Sequence, residues 1–166
     1  MSNIALIVAM DKNRVIGKNG DIPWKGRLRA DMEHFSLTTQ GHVVVMGRKT
    51  WQSLPERFRP LPKRENLVLT RDTRLNAKGC GEIYDPSVIE RISDFREVFV
   101  IGGSEIYKMF LPVARRILVT HVETIVEGGD TFFPVILDEW FSKPIFQKKT
   151  DQQNQFNFNV VEYTRR

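Results

Sequence analysis

Residues 42–51 read HVVVMGRKTW. The run from His42 to Met46 is apolar and centred on three consecutive valines, which suits a strand buried on both faces. It passes without a spacer into Gly47, Arg48, Lys49, Thr50 and Trp51. A strand that ends in glycine and opens a helix with two cations gathers backbone N–H groups and positive charge at one corner, and such a corner binds anions. The pattern repeats at residues 97–107, EVFVIGGSEIY. There Glu97 to Ile101 forms the strand, Gly102, Gly103, Ser104 and Glu105 the corner, and Ile106, Tyr107, Phe110 and Leu111 an apolar helical stripe. Glycine at the corner leaves room for a phosphate or a flat ring to approach the backbone. Strands feeding directly into helices predict an α/β fold built on a parallel sheet.

Toward the N-terminus, residues 4–10 form another continuous apolar run, which predicts a central strand. Residues 11–24 turn polar, carry Gly17 and Gly20, and reach Pro23. A loop of that length in a compact domain is usually functional. The segment that follows, residues 22–35 (IPWKGRLRADMEHF), sets one carboxylate into an apolar pattern. In a helix, Leu28, Asp31, Met32 and Phe35 fall at i, i+3, i+4 and i+7 on one face, while Glu33 points elsewhere. Two readings of Asp31 stand side by side: a first-turn acid that complements the helix dipole, or a poorly hydrated carboxylate whose raised pKa suits proton handling near neutrality. The helix runs to about Thr39, and Gly41 ends it.

Toward the C-terminus, residues 66–70 (NLVLT) make a strand with Arg71 just past its carboxyl end, the edge where open α/β sheets bind ligands. Residues 86–93 suggest a short helix with proline in its first turn. Residues 117–122 form a strand carrying Thr120, residues 127–130 (EGGD) a turn, and residues 155–160 (QFNFNV) alternate as a half-buried antiparallel strand does. The expectation is one domain over residues 1–166: a central, mostly parallel mixed sheet with an antiparallel C-terminal strand, flanked by about four helices.

Composition narrows the function. The 166 residues are 41% hydrophobic and 27% charged, which is ordinary for a globular chain. No run approaches a membrane span, and the N-terminus makes a poor signal peptide. Cys80 stands alone, so no internal disulfide forms, and with His34, His42 and His121 scattered no metal cluster is expected; a reducing cytoplasm is favoured. The formal charge is +5, and Arg57, Arg59, Lys63, Arg64, Arg71 and Arg74 crowd one segment. Prolines and an apolar strand interrupt them, which fits a small polyanionic ligand better than a nucleic-acid backbone. The three-glycine dinucleotide fingerprint is absent, which argues against a Rossmann fold.

Taken in order, VIGKNGDIPW (15–24), Asp31 with Phe35, VMGRKTW (45–51), RPLPKRENLVLTR (59–71), VIGGSEIY (100–107), LVTHV (118–122) and EGGDTFFP (127–134) resemble the dihydrofolate reductase family over essentially the whole chain. The resemblance implies NADPH-dependent reduction of 7,8-dihydrofolate in a cytoplasmic monomer that antifolate inhibitors target, with no nucleic-acid or membrane partner. It implies that Asp31 holds the pterin and promotes protonation at N5, helped by Thr120, while Trp24 orders a water there and Ile22 closes over the nicotinamide. Ile7, Val8, Met32, Phe35, Leu54, Leu61, Ile101 and Tyr107 would line the substrate, Arg64 would fork onto its glutamate α-carboxylate, and Arg59 would lie at the mouth. On the cofactor side it implies Ala9 and Ile16 at the nicotinamide, with Asn19, Gly20, Thr131, Leu69 and Thr70 also in contact with the cofactor. Gly102, Gly103, Ser104 and Glu105 would meet the pyrophosphate and Arg48, Lys49, Thr50 and Arg71 the phosphates, Lys49 and Arg71 reading the 2'-phosphate, while Gly47, Ile101, Ile106 and Tyr107 would also touch the cofactor.

Two departures from the family pattern matter. The Trp24 to Asp31 spacing is two residues longer than in the common short bacterial form, through Lys25, Gly26 and Arg27, which raises Glu33 as a rival acid. Glu33 lies about 200° round the helix from Asp31, so the Asp-to-Phe spacing selects Asp31. Glu105 stands where many bacterial members carry Arg. A pyrimidine reductase of riboflavin synthesis, sharing fold and cofactor, and a non-catalytic basic nucleic-acid-binding domain are the alternatives.

Overall fold

A computed structural model describes residues 2–166. In chain order the elements are β1 (Ile4–Met10), β2 (Val15–Gly17), α1 (Arg29–Thr39), β3 (Val43–Gly47), α2 (Arg48–Ser53), β4 (Glu65–Leu69), β5 (Gly81–Ile83), α3 (Ser87–Ser93), β6 (Val98–Val100), α4 (Ser104–Phe110), β7 (Arg116–Val122), β8 (Thr131–Phe132), β9 (Trp140–Lys148) and β10 (Phe158–Arg165). The main sheet runs β5-β4-β3-β6-β1-β7-β10-β9, and β2 pairs with β8 in a separate ribbon. The mixed α/β architecture expected from the sequence is present, with four α-helices among the described residues. The chain forms two compact units, one made of the chain up to Leu6 with Thr39–Arg115, the other of Ile7–Thr38 with Arg116–Arg166.

In the first unit every pairing is parallel: β3 with β4 and β6, β4 with β5, and the start of β1 with β6. Val43, Val44, Val45 and Met46 are wholly buried, as are Val98, Phe99 and Val100. Runs of this kind are what a sheet covered on both faces selects, and each such side chain contributes about 1.5–3 kcal/mol on burial.

The antiparallel pairings lie in the second unit, where β2 also pairs with β8. β10 pairs with β7 on one side and β9 on the other. The alternation at residues 155–160 predicts the strand but misplaces it: β10 begins at Phe158 and runs on to Arg165, because residues 151–154 close a turn. β9 escaped the sequence pattern. It carries Pro144, is exposed along most of its length, and has a register shift opposite Val160 and Val161, so it lacks both the alternation and the composition of a buried strand. Proline is tolerated in such a strand at a sheet edge or bulge.

The expected loop over residues 11–24 is also more ordered than its composition suggests. Asp11 is 2% exposed; its Oδ1 accepts the N–H groups of Asn13 and Val15, each at 2.8 Å, and its Oδ2 that of Val126 at 2.8 Å. One carboxylate thus ties the start of β2 to the segment leading into β8. Asp11→Ala strands these donors, that of Val15 fully buried and the others partly, and should cost about 3 kcal/mol, read as a lower urea midpoint at unchanged m-value.

Candidate active site

Leu28 starts the helix that carries Asp31. It is 2% exposed and packs with Trp24, Val122, Phe158 and Val160, so the first turn of α1 is pinned to the core through an apolar side chain. Asp31 follows three residues later, half-buried. Thr120, in the middle of β7 and 3% exposed, donates its hydroxyl to Asp31 Oδ1 at 2.6 Å. Burial pushes the Asp31 carboxyl above its ordinary value, and the Thr120 hydrogen bond pulls part of the way back. Of the two readings of Asp31, the geometry favours the poorly hydrated carboxylate. Glu33 is an exposed partner of Arg29 at 3.0 Å, a surface ion pair with no proton-handling environment.

The rest of the α1 stripe is more open than a core face would be. Met32 is 55% exposed, Phe35 is half-buried, and Thr39 is the buried residue of the helix. His34 sits with its Nδ1 3.4 Å from Thr38 Oγ1 and its ring edge-on to Phe146, and burial lowers its pKa.

The same unit holds the other expected residues of β1 and the following loop. Ile7 and Val8 are buried, and Ala9 packs beside the Trp24 cluster. Trp24 is buried, whereas Ile22 is 51% exposed and its N–H is held by Asp21 Oδ1. Ile16 lies half-buried in β2. Asn19 and Gly20 both have positive φ, 52° and 77°, and Asp130 fixes the turn by accepting the Asn19 N–H at 2.9 Å and the Thr131 hydroxyl at 2.9 Å. Asp130 was legible only as part of a turn motif; its reach to Asn19, far back in the chain, was not.

In the first unit the two strand-to-helix corners abut. The Gly47 N–H donates to the Gly102 carbonyl at 2.8 Å, and a Cβ at Gly47 would come within 3.0 Å of Ile106. Gly102 has φ +126°, a conformation that L side chains rarely adopt, and a Cβ there or at Gly103 would contact Thr50 Oγ1 at 3.5 or 3.4 Å. Ile101 is half-buried, with its N–H on the Val45 carbonyl, and Ser104 opens α4. Tyr107 is buried, its hydroxyl pKa raised by burial, so it backs the corner rather than lining an open surface. Leu69 and Thr70 are buried at the end of β4, while Arg48, Lys49 and Arg71 are exposed. Bare glycine backbone beside exposed cations is the donor set a dinucleotide's phosphates need. Glu105 is exposed and pairs with Lys108 at 3.1 Å, so the departure from the family pattern is neutralised locally.

The basic segment is built around Asn66, which sequence reading placed merely at a strand start. It is 3% exposed; its Oδ1 accepts the Leu61 N–H at 2.8 Å and its Nδ2 donates to the carbonyls of Leu61 and Arg64 at 2.9 and 3.1 Å. Arg64 in turn donates Nε to Thr39 Oγ1 and a terminal nitrogen to the Pro62 carbonyl, both at 2.7 Å. Leu54 closes α2, and the Arg59 guanidinium stacks over Trp51 at 5.1 Å.

The raised Asp31 pKa has a consequence for stability. Its neutral form suits the fold, so the ionised wild type is penalised as pH rises through the folded-state value. Asp31→Asn should therefore melt higher than wild type at pH 7, the difference closing as pH falls toward the unfolded value of 3.8; thermal melts across that range check it.

A family model described as dihydrofolate reductase matches residues 3–165. The dihydrofolate reductase of Staphylococcus haemolyticus is 42% identical over 164 residues, covering 98% of this chain and 95% of that protein. That of Haemophilus influenzae is 38% identical, covering 98% of each. Among solved structures, the dihydrofolate reductase from Enterococcus faecalis complexed with NADP(H) and RAB-propyl aligns with a TM-score of 0.85 at 32% identity, covering 98% of this chain and 95% of that one. With a desolvated carboxylate under a threonine hydroxyl in one unit and paired glycine corners in the other, the chain belongs to the dihydrofolate reductase family.

Proposed function

We propose that this chain reduces 7,8-dihydrofolate to 5,6,7,8-tetrahydrofolate with NADPH, residues 1–166 acting as one catalytic domain. The observation that carries the reading is the 2.6 Å Thr120–Asp31 hydrogen bond on a carboxyl whose pKa is raised by burial. NADPH, when bound, supplies the hydride delivered to C6 of the substrate. The protein's own residues do the rest. Asp31 holds the 2-amino group and N3 of the pterin and biases a solvent proton toward N5, a task helped by a pKa closer to neutrality. Thr120 fixes the carboxylate's orientation. Ile7, Val8, Met32, Phe35, Leu54 and Leu61 supply apolar surface for the pterin and benzoyl groups, and Arg64, braced by Thr39 and the Pro62 carbonyl, presents its guanidinium to the glutamate carboxylate.

Ala9, Ile16 and the exposed Ile22 serve the nicotinamide, Gly102, Gly103 and Ser104 the pyrophosphate, and Arg48, Lys49, Thr50 and Arg71 the remaining phosphates, with Lys49 and Arg71 selecting the 2'-phosphate. The +5 charge favours capture of two polyanionic ligands. Antifolates compete for the Asp31 site. The enzyme works as a cytoplasmic monomer without nucleic-acid partners; among the described residues no helix is long and apolar enough to cross a membrane.

The test is the fall in NADPH absorbance on adding dihydrofolate. Wild type should turn over rapidly, and Asp31→Asn should lose about 10²–10³-fold in kcat at pH 7, with the loss easing at low pH where substrate arrives protonated. A folded wild type that ignores dihydrofolate but reduces an aminopyrimidine ribosyl phosphate would transfer the chain to the pyrimidine reductase alternative. Arg64→Lys keeps the charge but loses the fork, and should raise KM for dihydrofolate about 10–100-fold with kcat little changed; steady-state kinetics with and without a glutamate-bearing substrate separates the two parameters.

A further inference from the structure

The helix that carries Asp31 has no cap of its own. Its N-cap position is Leu28, whose carbonyl accepts the Met32 N–H at 3.2 Å but whose side chain is committed to the core. Leucine offers no acceptor, so the first N–H groups of α1 need partners from elsewhere. They come from a turn more than 120 residues later in the chain. The Gln153 carbonyl accepts the Arg29 N–H at 3.1 Å, and Asn154 Oδ1 accepts the Ala30 N–H at 2.9 Å. Asn154 therefore occupies the acceptor position that a local Ser or Asp would fill.

Asn154 is itself firmly held. It is 3% exposed, donates Nδ2 to Asp151 Oδ1 at 2.9 Å, and its carbonyl accepts the Asp151 N–H at 3.0 Å. Lys148 pairs with the other Asp151 oxygen at 2.9 Å. Next to it the Gln155 N–H donates to the Arg27 carbonyl at 2.8 Å, just ahead of α1. The turn thus grips the chain on both sides of Leu28.

We infer that Asn154 is a positioning residue for the proton-handling carboxylate: as a remote N-cap it fixes the first turn of α1, and with it the placement of Asp31 against Thr120. This rests on the dihydrofolate reductase reading for its consequence in turnover, though not for its structural content. An amide suits the role better than a carboxylate, because it accepts from the helix while donating to Asp151 and adds no negative charge beside the turn that holds Asp31. The groups around Asp31 bring little competing charge. Thr120 from β7 is neutral, His34 one turn on is disposed to stay neutral by its burial, and the nearest charges on α1, Arg29 and Glu33, point away from Asp31 and pair with each other at the surface.

The test is the titration of Asp31, followed by carboxyl carbon NMR in aspartate-labelled protein and assigned with Asp31→Asn. Asn157→Ala is the control, since Asn157 Oδ1 accepts the Thr150 N–H in the same hairpin without touching α1. In Asn154→Ala a frayed first turn admits water to Asp31, so its midpoint should fall by about one pH unit, tenfold in the ionisation constant. In turnover, kcat at pH 7 should drop about tenfold with KM for NADPH unchanged. Asn157→Ala should lose thermal stability alone, with the Asp31 titration in place. If Asn154→Ala does not fold, Asn154→Ser, whose shorter side chain weakens the cap without abolishing it, is read by the same criterion. An Asp31 titration identical to that of wild type overturns the inference, whatever happens to the melting temperature. A displaced titration in a protein whose wild type does not turn over dihydrofolate would refute the proposed function and leave the positioning role standing.

Discussion

A carboxylate kept from water must be held by something that water would otherwise replace. In this chain that is the 2.6 Å hydrogen bond from Thr120 to Asp31, and much of the second unit is arranged around it. Thr120 sits in the middle of β7, where pairing with β10 fixes it through the Val160 register position. Asp31 sits in the first turn of α1, where Leu28 and Trp24 anchor the helix start to the core. Desolvation and hydrogen bonding act on the same proton in opposite senses, and desolvation dominates. A group in that balance is costly to the fold when ionised and useful to chemistry for the same reason.

The first unit is organised differently, with bare backbone of the kind that suits the approach of a polyanion. Its parallel strands end at glycine corners, where Gly47 and Gly102 lie within hydrogen-bonding distance of one another. Side chains are absent at the corners, and cations stand next to them in sequence. The cations Arg48, Lys49 and Arg71 remain exposed, while Arg64 is braced by Thr39 and Pro62. Exposed cations suit electrostatic capture, and a braced guanidinium suits recognition of one carboxylate geometry.

What the sequence made legible follows from how local each feature is. The buried strands at Val43–Gly47 and Val98–Val100 and the helix Arg29–Thr39 were readable because their signals are runs and periods within a dozen residues. Asp31 was readable as a candidate because it interrupts such a period. β9 was not, because an exposed edge strand with Pro144 carries no alternation to detect. Asp11, Asn66, Asp130 and Asn154 were missed as supports for a different reason. Each is a polar side chain that satisfies backbone N–H groups, and for Asp11, Asp130 and Asn154 the partners include groups more than 100 residues away. Only the folded chain identifies them. The missing cap at Leu28 is the one trace such pairing leaves in sequence: a helix start without Ser, Thr, Asp or Asn has to borrow its acceptor.

If Asp31 governs the proton in the proposed reduction, its ionisation controls the rate of the chemical step. The pH dependence of the hydride-transfer step, measured in single turnovers with NADPH deuterated at the transferred position, tests it most directly. The expected rate falls with rising pH through one ionisation lying above the ordinary carboxylate value of 3.8, and Asp31→Asn loses this ionisation. A profile with the same ionisation in both proteins would contradict it.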